Sequence, residues 1–468
     1  MSELRILKTK VSWKVLGLVC FIIPLAGYLF VYYVELALAL FGILILSILF
    51  LTSRHMFVRK FPYVVILLNV ALITFFNVIW YRPPIETGLE EVPFQFAAVS
   101  VHWTDIYIVI VALMAIYVML INKKSKTASQ ALWRNGVFRV LFVYSLYQIM
   151  IVAPMAYFQS IPLDSLVRRL IPRLSLIIYF VFFYEVLKKG YFNFARWERL
   201  LRQICIALLF ISIWNLLVGN IIHTSSGTIR TLWGVSSIIF GMNFISGFVR
   251  KRPNILDMLT GIVGIMMINH RSAFLSLAIV IFLSVFWSET KHSGIRAAKI
   301  FRNITALAII TLILLIFSSS FIVKQSSIRF SDSFNSKEAN TLYRLRMWKL
   351  AFDTFLENPI FGVGLKSDLY QGQIKELVSP HNFVIRTLAQ QGIIGTIFFV
   401  ILFSIISINI IRHFDYNRRL FWIIGMSILF YTTFCLFNTY FYKVQSQLYF
   451  MLMVAMSEYY ARSFSQKK

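Results

Sequence analysis

Apolar runs of about 20 residues, repeated along most of the chain, constrain the fold more than any other feature. A helix rises about 1.5 Å per residue, so a run of that length crosses the roughly 30 Å hydrocarbon core of a bilayer. These runs make the 468-residue chain 59% hydrophobic and only 14% charged. Soluble domains carry about 25% charged residues, so a soluble globular fold is excluded.

We predict that fourteen runs span the membrane, or twelve to thirteen if short neighbours merge. The predicted fold is therefore an all-α, polytopic membrane bundle of about 12–14 transmembrane helices, with short helices in one large extracytoplasmic loop. No cleavage site of small residues follows the first run, so we expect a retained helix and not a signal peptide. The predicted spans are residues 15–31, 34–51, 62–81, 106–121, 138–157, 171–187, 203–221, 235–249, 255–269, 272–288, 304–323, 386–410, 420–440 and 444–458.

The basic residues are distributed unequally between alternate loops. With the N-terminus in the cytoplasm, the cytoplasmic segments hold 30 Lys and Arg against 7 acidic residues, and the outer segments hold 16 against 12. Lys and Arg accumulate in the cytoplasmic loops of membrane proteins. Most of the net charge of +27 is therefore an orientation signal, which predicts cytoplasmic N- and C-termini and no nucleic acid partner.

One outer segment, residues 324–385, is far longer than the others, and loops of that length are usually functional or disordered. Residues 341–357 within it predict an amphipathic helix, which Asn358-Pro359 ends. Gly362 and Gly364 then allow either a tight turn or a nest of amide groups that holds an anion. The predicted apolar face of the helix contains Leu342, Leu345, Trp348, Phe352 and Phe355.

A histidine lies at the end of the same segment. Ser379 suits a helix N-cap and Pro380 the first helical position, which places His381 in the first turn. The helix dipole there disfavours a cationic imidazole, and a neutral imidazole can act as a general base or bind a sugar hydroxyl. The alternative is a structural histidine that only satisfies local amide groups, and spacing alone favours that alternative.

Arginines in the outer segments indicate a phosphate site. Arg271 lies between two apolar runs, where an ionisable residue has either a function or a side chain that snorkels to the interface. Arg344 precedes Trp348 by one helical turn, so a purely structural cation–π pair is the alternative there. Arg230 lies in a loop rich in Ser, Thr and Gly. The guanidinium group suits phosphate oxygens, and without Cys/His metal spacing these residues predict a metal-independent site for a lipid diphosphate.

The order of motifs in the second half of the chain resembles the O-antigen ligase domain. The segments that carry the resemblance are NHRSA at 269–273, RLRMW at 344–348 with ENPIFGVG at 357–364, and PHN at 380–382 with QGIIG at 391–395. Together they cover about residues 260–410, with the long outer loop in the right place. His270 departs from the small or hydroxyl residue that is usual before the arginine, and the N-terminal half resembles the family only as a bundle of spans.

The resemblance implies a glycosyltransferase of the bacterial inner membrane whose active site faces outward. It implies a polyprenyl-diphosphate-linked glycan donor, a glycan or lipid A-core acceptor, inversion at the anomeric carbon and no cofactor. Arg271 and Arg344 would bind the diphosphate leaving group, Arg230 would be a further diphosphate contact, and His381 would orient or deprotonate the acceptor hydroxyl. Membrane lipid, a flippase and a chain-length regulator are the other expected partners.

We divide the chain into an N-terminal transmembrane bundle at 1–254, an O-antigen ligase-like domain at 255–410, and C-terminal helices with a cytoplasmic tail at 411–468. A polytopic transporter of a small solute or a glycan intermediate is an alternative, suggested by the number of spans alone; its ionisable residues would lie near mid-membrane. A non-catalytic scaffold for glycan export is another. The sequence does not separate a polymerase from a ligase, although the diversity of repeat structures slightly favours a polymerase.

Overall fold

The computed structural model describes residues 54–79, 94–96, 99–101, 103–120, 132–158, 163–217, 222–223, 229–232, 234–249, 254–268, 270–289, 339–365, 380–438 and 440–465. Helices dominate these ranges, which confirms the all-α polytopic prediction. The predicted spans 15–31, 34–51 and 304–323 lie outside the described residues, so the total number of spans stays a prediction. Five described segments are long and apolar enough to cross a bilayer: Gly136–Phe158, Arg169–Lys188, Phe194–Leu217, Phe383–His413 and Arg418–Leu436.

The described part of the N-terminal half consists of helices and two short hairpins. A π-helical turn, Gln148–Val152, joins two of the helices, and each hairpin is antiparallel. The helices are α1 (Arg54–Ile79), α2 (Trp103–Leu120), α3 (Gly136–Tyr147), α4 (Ala153–Phe158), α5 (Leu163–Lys188), α6 (Phe194–Leu217) and α7 (Ser236–Phe248). The strands are β1 (Phe94–Phe96), β2 (Val99–Val101), β3 (Ile222–His223) and β4 (Ile229–Arg230).

The described part of the C-terminal half is helical. A 3₁₀ turn, Tyr440–Tyr442, precedes the last helix. The helices are α8 (Ile255–Ile268), α9 (Arg271–Glu289), α10 (Ala339–Glu357), α11 (Phe383–His413), α12 (Arg418–Leu436) and α13 (Val444–Ser465). Of these, α10 is the helix predicted in the long outer segment, and it ends at Glu357, directly before Asn358-Pro359, as predicted.

Helix α7 lies at the centre of the bundle, and every one of its residues is buried. It packs against α8, where a Cβ at Gly264 would overlap the Phe240 ring. Small residues allow such close approach between helices in membranes. With 13 and 14 residues, α7 and α8 each rise about 20 Å, so neither reaches across the full hydrocarbon core by itself.

Hydrogen bonds between helix termini define two opposite ends of the bundle. At one end, Asn215 near the end of α6 donates to the carbonyl of Thr231, ahead of α7, at 2.9 Å. At the other, Asn409 near the end of α11 donates to Glu458 of α13 at 2.5 Å. Arg419, just after the end of α11, donates to Glu198 near the start of α6. The end of α11 and the start of α6 therefore form the Glu198 end, and the start of α11 and the end of α6 form the His381 end. The sequence predicts that the Glu198 end faces the cytoplasm.

Arginines and carboxylates pair at the Glu198 end. Arg202 of α6 donates to both carboxylate oxygens of Asp257 of α8, at 2.5 and 2.9 Å. Arg419 of α12 donates to both carboxylate oxygens of Glu198 of α6, at 2.6 Å each. Both carboxylates are buried, and a buried carboxylate stays charged only when it is paired. These pairs therefore tie three helices together.

Candidate functional site

Helix α10 is amphipathic as predicted, but its buried face is not the predicted one. Met347 and Ala351 are fully buried, whereas Leu345 and Phe352 of the predicted apolar face are 49% and 48% exposed. Ala351 packs against Ala389 of α11. Two small side chains that face each other let the two helices approach closely. The buried face of α10 is therefore the one that carries Ala351, and not the one that carries the largest apolar side chains.

The docked α10 fixes the backbone next to His381. The indole N–H of Trp348 donates to the carbonyl of Pro380 at 2.5 Å, a contact that the sequence did not predict. Arg344 lies one helical turn before Trp348 and is exposed, and its positive charge acts on the His381 imidazole. The structure therefore brings together two of the four predicted site residues, which lie in separate motifs.

Helix α11 does not begin where the sequence predicts. It begins at Phe383, and Asn382 is its N-cap, whose side-chain oxygen accepts hydrogen bonds from two first-turn amides at 2.9 and 3.2 Å. The expected cap, Ser379, lies outside the described residues. His381 precedes the helix instead of lying in its first turn, because asparagine is as good a cap as serine and here it lies next to the first helical residue.

His381 has a strained backbone and a neutral ring. Its φ of 48° is the one positive value at a non-glycine residue in the described part of the chain, and such strain concentrates at functional sites. Burial lowers the pKa of His381 from 6.5 to about 4, and the charges of Arg344 and Arg386 lower it further in the same direction. The neutral imidazole expected from the sequence is present, but burial and arginines produce it instead of a helix dipole.

The loop that follows α10 fills a break in α11. The break is at Gly392, whose φ and ψ of 62° and −162° are not helical. The amide of Ile393 donates to the carbonyl of Pro359 at 2.8 Å, and the amide of Val363 donates to the carbonyl of Ala389 at 2.9 Å. Backbone groups that the break releases from the helix are thus satisfied by the loop, which joins the second and third motifs of the sequence.

Two glycines allow this contact between the loop and the break in α11. Gly362 and Gly392 have φ values of 67° and 62°, which favour glycine. A Cβ at Gly362 would lie 2.5 Å from the carbonyl carbon of Gln390, and a Cβ at Gly392 would overlap the carbonyl of Ile360. The amides of Gly362 and Val363 donate to backbone carbonyls, so the tight turn is correct and an anion nest built on these two amides is wrong.

Two arginines that the sequence did not single out complete this side of the site. Arg173 of α5 and Arg386 of α11 both donate to the side-chain oxygen of Gln390, at 2.7 and 3.3 Å. Both guanidinium carbons lie 4.9 Å from the centroid of the Tyr442 ring. Because the charge of Arg386 also acts on His381, this cluster adjoins the predicted site.

The sequence contained a signal for both arginines. Arg173 and Arg386 lie at the outer starts of the predicted spans 171–187 and 386–410, where they were counted as part of the apolar runs. An ionisable residue within a span is itself a functional hypothesis. Applying that rule to each end of every span would have selected both residues.

The other two predicted arginines are described by their backbones. Arg230 is the last residue of β4, and Arg271 is the first residue of α9. The amide and hydroxyl of Thr231 donate to the carbonyl of Met267 at 3.4 and 3.0 Å, so the end of β4 lies against the end of α8, shortly before Arg271. Binding of a diphosphate by these two arginines stays a prediction.

His270, which departs from the family pattern, is a buried structural residue. Its Nδ1 is hydrogen-bonded to the hydroxyl of Ser272 at 2.8 Å. Its ring lies 5.0 and 5.6 Å from the ring centroids of Phe434 and Tyr440. The histidine therefore anchors the start of α9 to the connection between α12 and α13.

That connection links the two parts of the site. Asn438 donates to the hydroxyl of Ser272, next to Arg271. The hydroxyl of Tyr442 is hydrogen-bonded to Thr387 of α11. Because four residues extend at most about 14 Å, the Cα atoms of Asn438 and Tyr442, whose side chains make these two contacts, are no farther apart than that.

No group of three or more His, Cys, Asp or Glu side chains with metal-binding geometry is present in the ranges that the structure describes. The predicted independence from a metal and from a cofactor stays a prediction. The described side of the site offers instead a neutral imidazole, fixed guanidinium groups and a strained turn, an arrangement that can bind an anion and accept a hydroxyl proton.

Comparison with known proteins gives one family. Residues 257–400 match the model of the family described as O-Antigen ligase. The match includes Arg271, Arg344 and His381, and it ends before Tyr442. No curated protein matches the chain.

Proposed function

We propose that the chain transfers or polymerises a polyprenyl-diphosphate-linked oligosaccharide at the outer face of the inner membrane, because residues 257–400 match the O-Antigen ligase family model and lie among helices long and apolar enough to span a membrane. The family supports a membrane enzyme that transfers glycans from a lipid-linked donor to a glycan acceptor. The observation that carries the finer proposal is the neutral imidazole of His381, placed beside Arg344 and Arg386 at one end of the bundle. The outer face rests on the predicted orientation of the basic loops.

The proposed reaction is a single displacement. The acceptor hydroxyl oxygen forms a bond to the anomeric carbon of the donor, and the bond from that carbon to the diphosphate oxygen breaks, so the configuration inverts. His381 orients the hydroxyl and takes its proton, while the lipid diphosphate leaves with the electron pair of the broken bond. Guanidinium groups fixed at the leaving oxygens stabilise the developing negative charge without a metal.

The pKa of His381 suits a base that acts only when the donor is bound. At about 4 the free imidazole is a weak base, although it accepts a hydrogen bond from a hydroxyl. Two of the causes of that low pKa are the charges of Arg344 and Arg386. A bound diphosphate offsets both charges, and so raises the pKa of His381 toward the range of an effective base.

Substitution of the site residues tests the proposal. We expect His381→Ala, Arg271→Ala and Arg344→Ala each to abolish glycan extension from a lipid-linked donor while the protein remains in the membrane. Arg346→Ala is the matched control for Arg344→Ala, because Arg346 is an exposed arginine on the same helix. Full extension by all three variants would exclude the assigned site and favour a scaffold or a transporter. Full activity after metal chelation is the expected result for a metal-independent enzyme.

Polymerase and ligase differ in the acceptor, and deletion of the gene separates them. Loss of long chains, with single repeats still attached to lipid A core, indicates a polymerase. Loss of all attached glycan, with lipid-linked polymer accumulating, indicates a ligase. A flippase that delivers the donor is required by either reaction, and a chain-length regulator is a further expected partner of the polymerase.

A further inference from the structure

Helix α10 has a third face besides the one that packs on α11 and the one that carries charge. The packed face includes Met347 and Ala351. Successive residues of a helix are about 100° apart, so Leu345, Phe352 and Leu356 share a separate apolar face, and all three side chains are about half exposed. The charged face is exposed as well, and it consists of Arg346, Lys349, Asp353 and Glu357. A helix with one apolar and one charged exposed face is typical of a membrane interface.

The break at Gly392 turns the first part of α11 back toward the rest of the helix. In a straight helix, the Cα atoms of Phe383 and Phe399 would be about 24 Å apart. Their ring centroids are instead 6.2 Å apart, and the ring of Phe383 lies 6.5 Å from that of Phe403. Residues 383–391 therefore stay at the His381 end of the bundle instead of projecting away from it.

Helix α10 lies beside this first part of α11 and runs in the same direction. Three contacts follow the same order along both segments: the indole of Trp348 with the carbonyl of Pro380, Ala351 with Ala389, and the carbonyl of Pro359 with the amide of Ile393. Helix α10 therefore also stays at the His381 end of the bundle, and the loop that follows it reaches the break.

The part of α11 after the break has the dimensions of a membrane span. It carries exposed large apolar side chains from Ile393 to Ile411, a distance of about 27 Å along the helix axis, and the hydrocarbon core of a bilayer is about 30 Å thick. Arg412 follows at one end, and residues 382–392 at the other end are buried or half-buried. The exposed stripe therefore faces lipid, and the break at Gly392 lies near the edge of the hydrocarbon core.

The loop after α10 connects the two apolar surfaces. Its residue Pro359 is hydrogen-bonded to Ile393, at the start of the lipid-facing stripe, and the next two side chains, Ile360 and Phe361, are 55% and 40% exposed. The exposed apolar face of α10 thus continues through this loop into the stripe that contacts lipid. A contiguous exposed apolar surface marks an interaction site, and the continuity identifies bilayer lipid as its partner.

We propose that α10 lies in the bilayer interface at the His381 end, with Leu345, Phe352 and Leu356 among the acyl chains and the charged face in water. Such a helix buries its apolar face about 5–10 Å into the boundary between headgroups and acyl chains. Because Trp348 of α10 donates to the carbonyl of Pro380, the lipid contact also fixes the height of His381 relative to the bilayer. The inference concerns position in the membrane, and a ligase, a polymerase or a transporter would share it.

The accessibility of spin labels tests the position of α10, because oxygen concentrates among acyl chains and a nickel chelate stays in water. The full chain in phosphatidylcholine nanodiscs, with its three native cysteines replaced by alanine, receives one nitroxide-labelled cysteine at a time. We expect labels in Phe352→Cys and Leu356→Cys to show a several-fold higher ratio of oxygen to nickel accessibility than labels in Arg346→Cys and Asp353→Cys. The last two are matched controls, because they are exposed positions on the charged face of the same helix.

Each other position of α10 gives a different result. A low ratio at Phe352 and Leu356, equal to that at Asp353, would mean that the apolar face lies in water and would overturn the proposal. Low accessibility to both reagents would mean that a protein segment or a second copy of the chain covers the face, which would also overturn it. Ile397→Cys, on the lipid-facing stripe, should give the highest ratio; a ratio like that of Asp353 there would overturn the stripe and the proposal with it.

A second measurement uses the wild-type chain. A phosphatidylcholine with a diazirine on its acyl chain is incorporated into the nanodisc and photolysed, and its adducts are located in tryptic peptides by mass spectrometry. We expect adducts in residues 350–366, which include Phe352 and Leu356, and in residues 387–412, which include the lipid-facing stripe. Absence of adducts from residues 350–366 would overturn the proposal.

Discussion

Arginines at the two ends of the bundle have different partners. At the Glu198 end, Arg202 and Arg419 each donate to both oxygens of a buried carboxylate. At the His381 end, Arg173 donates to a backbone carbonyl and to a neutral amide, and it stacks on a tyrosine. The arginines of the Glu198 end tie helices together through buried carboxylates, whereas Arg173 at the His381 end is held by neutral groups.

The difference also separates two uses of positive charge. The basic residues of the predicted cytoplasmic loops are expected to orient the chain, and Arg202 and Arg419 among them pair with buried carboxylates. At the His381 end, Arg173 and Arg386 are held by an aromatic ring and an amide instead. Substitutions at the Glu198 end should therefore change stability, and those at the His381 end should change ligand binding and catalysis.

The largest expected effect is at His381. His381→Asn should lower the rate of glycan transfer by about 10²–10⁴-fold, the usual contribution of a general base. Folding should be retained, because asparagine tolerates the left-handed backbone that this position requires. Initial rates with a lipid-linked donor, together with size-exclusion profiles of the purified variants, measure both quantities. A variant that keeps at least half of the wild-type rate would remove His381 from the mechanism.

The next largest effect is expected at Gly362 and Gly392, where the loop after α10 packs into the break in α11. Gly392→Ala combines a positive φ with overlap of the Ile360 carbonyl, and we expect it to destabilise the protein by about 2–5 kcal/mol. Thermal unfolding in detergent measures the loss. Gly425→Ala is the control in an ordinary helix, where the new Cβ would lie 3.5 Å from the nearest atom; it should be neutral or stabilise by up to about 1 kcal/mol.

A second pair of variants separates strain from contact. Gly190 and Gly362 share a φ of 67°, but nothing lies within 4 Å of a Cβ at Gly190. Gly190→Ala should cost only the backbone strain, about 1–2 kcal/mol, and Gly362→Ala should cost more. Equal losses of unfolding free energy in the two variants would mean that packing of the loop against the break in α11 contributes little to stability.

The ion pairs of the Glu198 end should show the opposite behaviour from His381. Asp257→Asn should destabilise the protein by about 1–3 kcal/mol, less than the ~3–5 kcal/mol of a fully buried pair, since the Arg202 side chain is 31% exposed. The rate per folded molecule should not change. Thermal unfolding measures the stability, and the transfer rate divided by the folded fraction of the protein measures the rate per folded molecule. A loss of that rate without a loss of stability would contradict a purely structural role for the ion pairs of the Glu198 end.

The smallest expected effect is a change in pH dependence. The pKa of His381 is about 4 in the folded protein and 6.5 as its ordinary value, so the unfolded state binds the additional proton first. Stability should therefore fall as the pH decreases from 6.5 to about 4. Below about pH 4 the imidazole is protonated in both states, and His381 no longer changes the stability. Arg386→Gln should raise the folded pKa and shrink this loss, whereas Arg412→Gln should not. Apparent melting temperatures between pH 4 and 7, with His381→Asn as the reference, measure the difference.

Local sequence patterns predicted the elements of the site better than their contacts. The end of α10 at Asn358-Pro359 follows from the backbone restriction before proline, and the structure confirms it. The helix start at Asn382 and the buried face of α10 were predicted wrongly. The buried face of α10 depends on its contact with Ala389 of α11, which the periodicity of α10 does not contain. The helix start depends on a choice between two equally good caps, Ser379 and Asn382, which capping preference does not resolve.

The sequence alone determined that this chain is a polytopic helical membrane protein whose second half resembles the O-antigen ligase domain, because the length of apolar runs and the order of motifs are local properties. Only the tertiary structure decided which cations are paired and which meet a histidine. Arg173, Arg386 and Tyr442 come from three separate helices or turns, and they become one cluster when α5 and α11 pack together. Burial and charge are properties of that packing, so the chemistry of the site could be assigned only after the helices were in place.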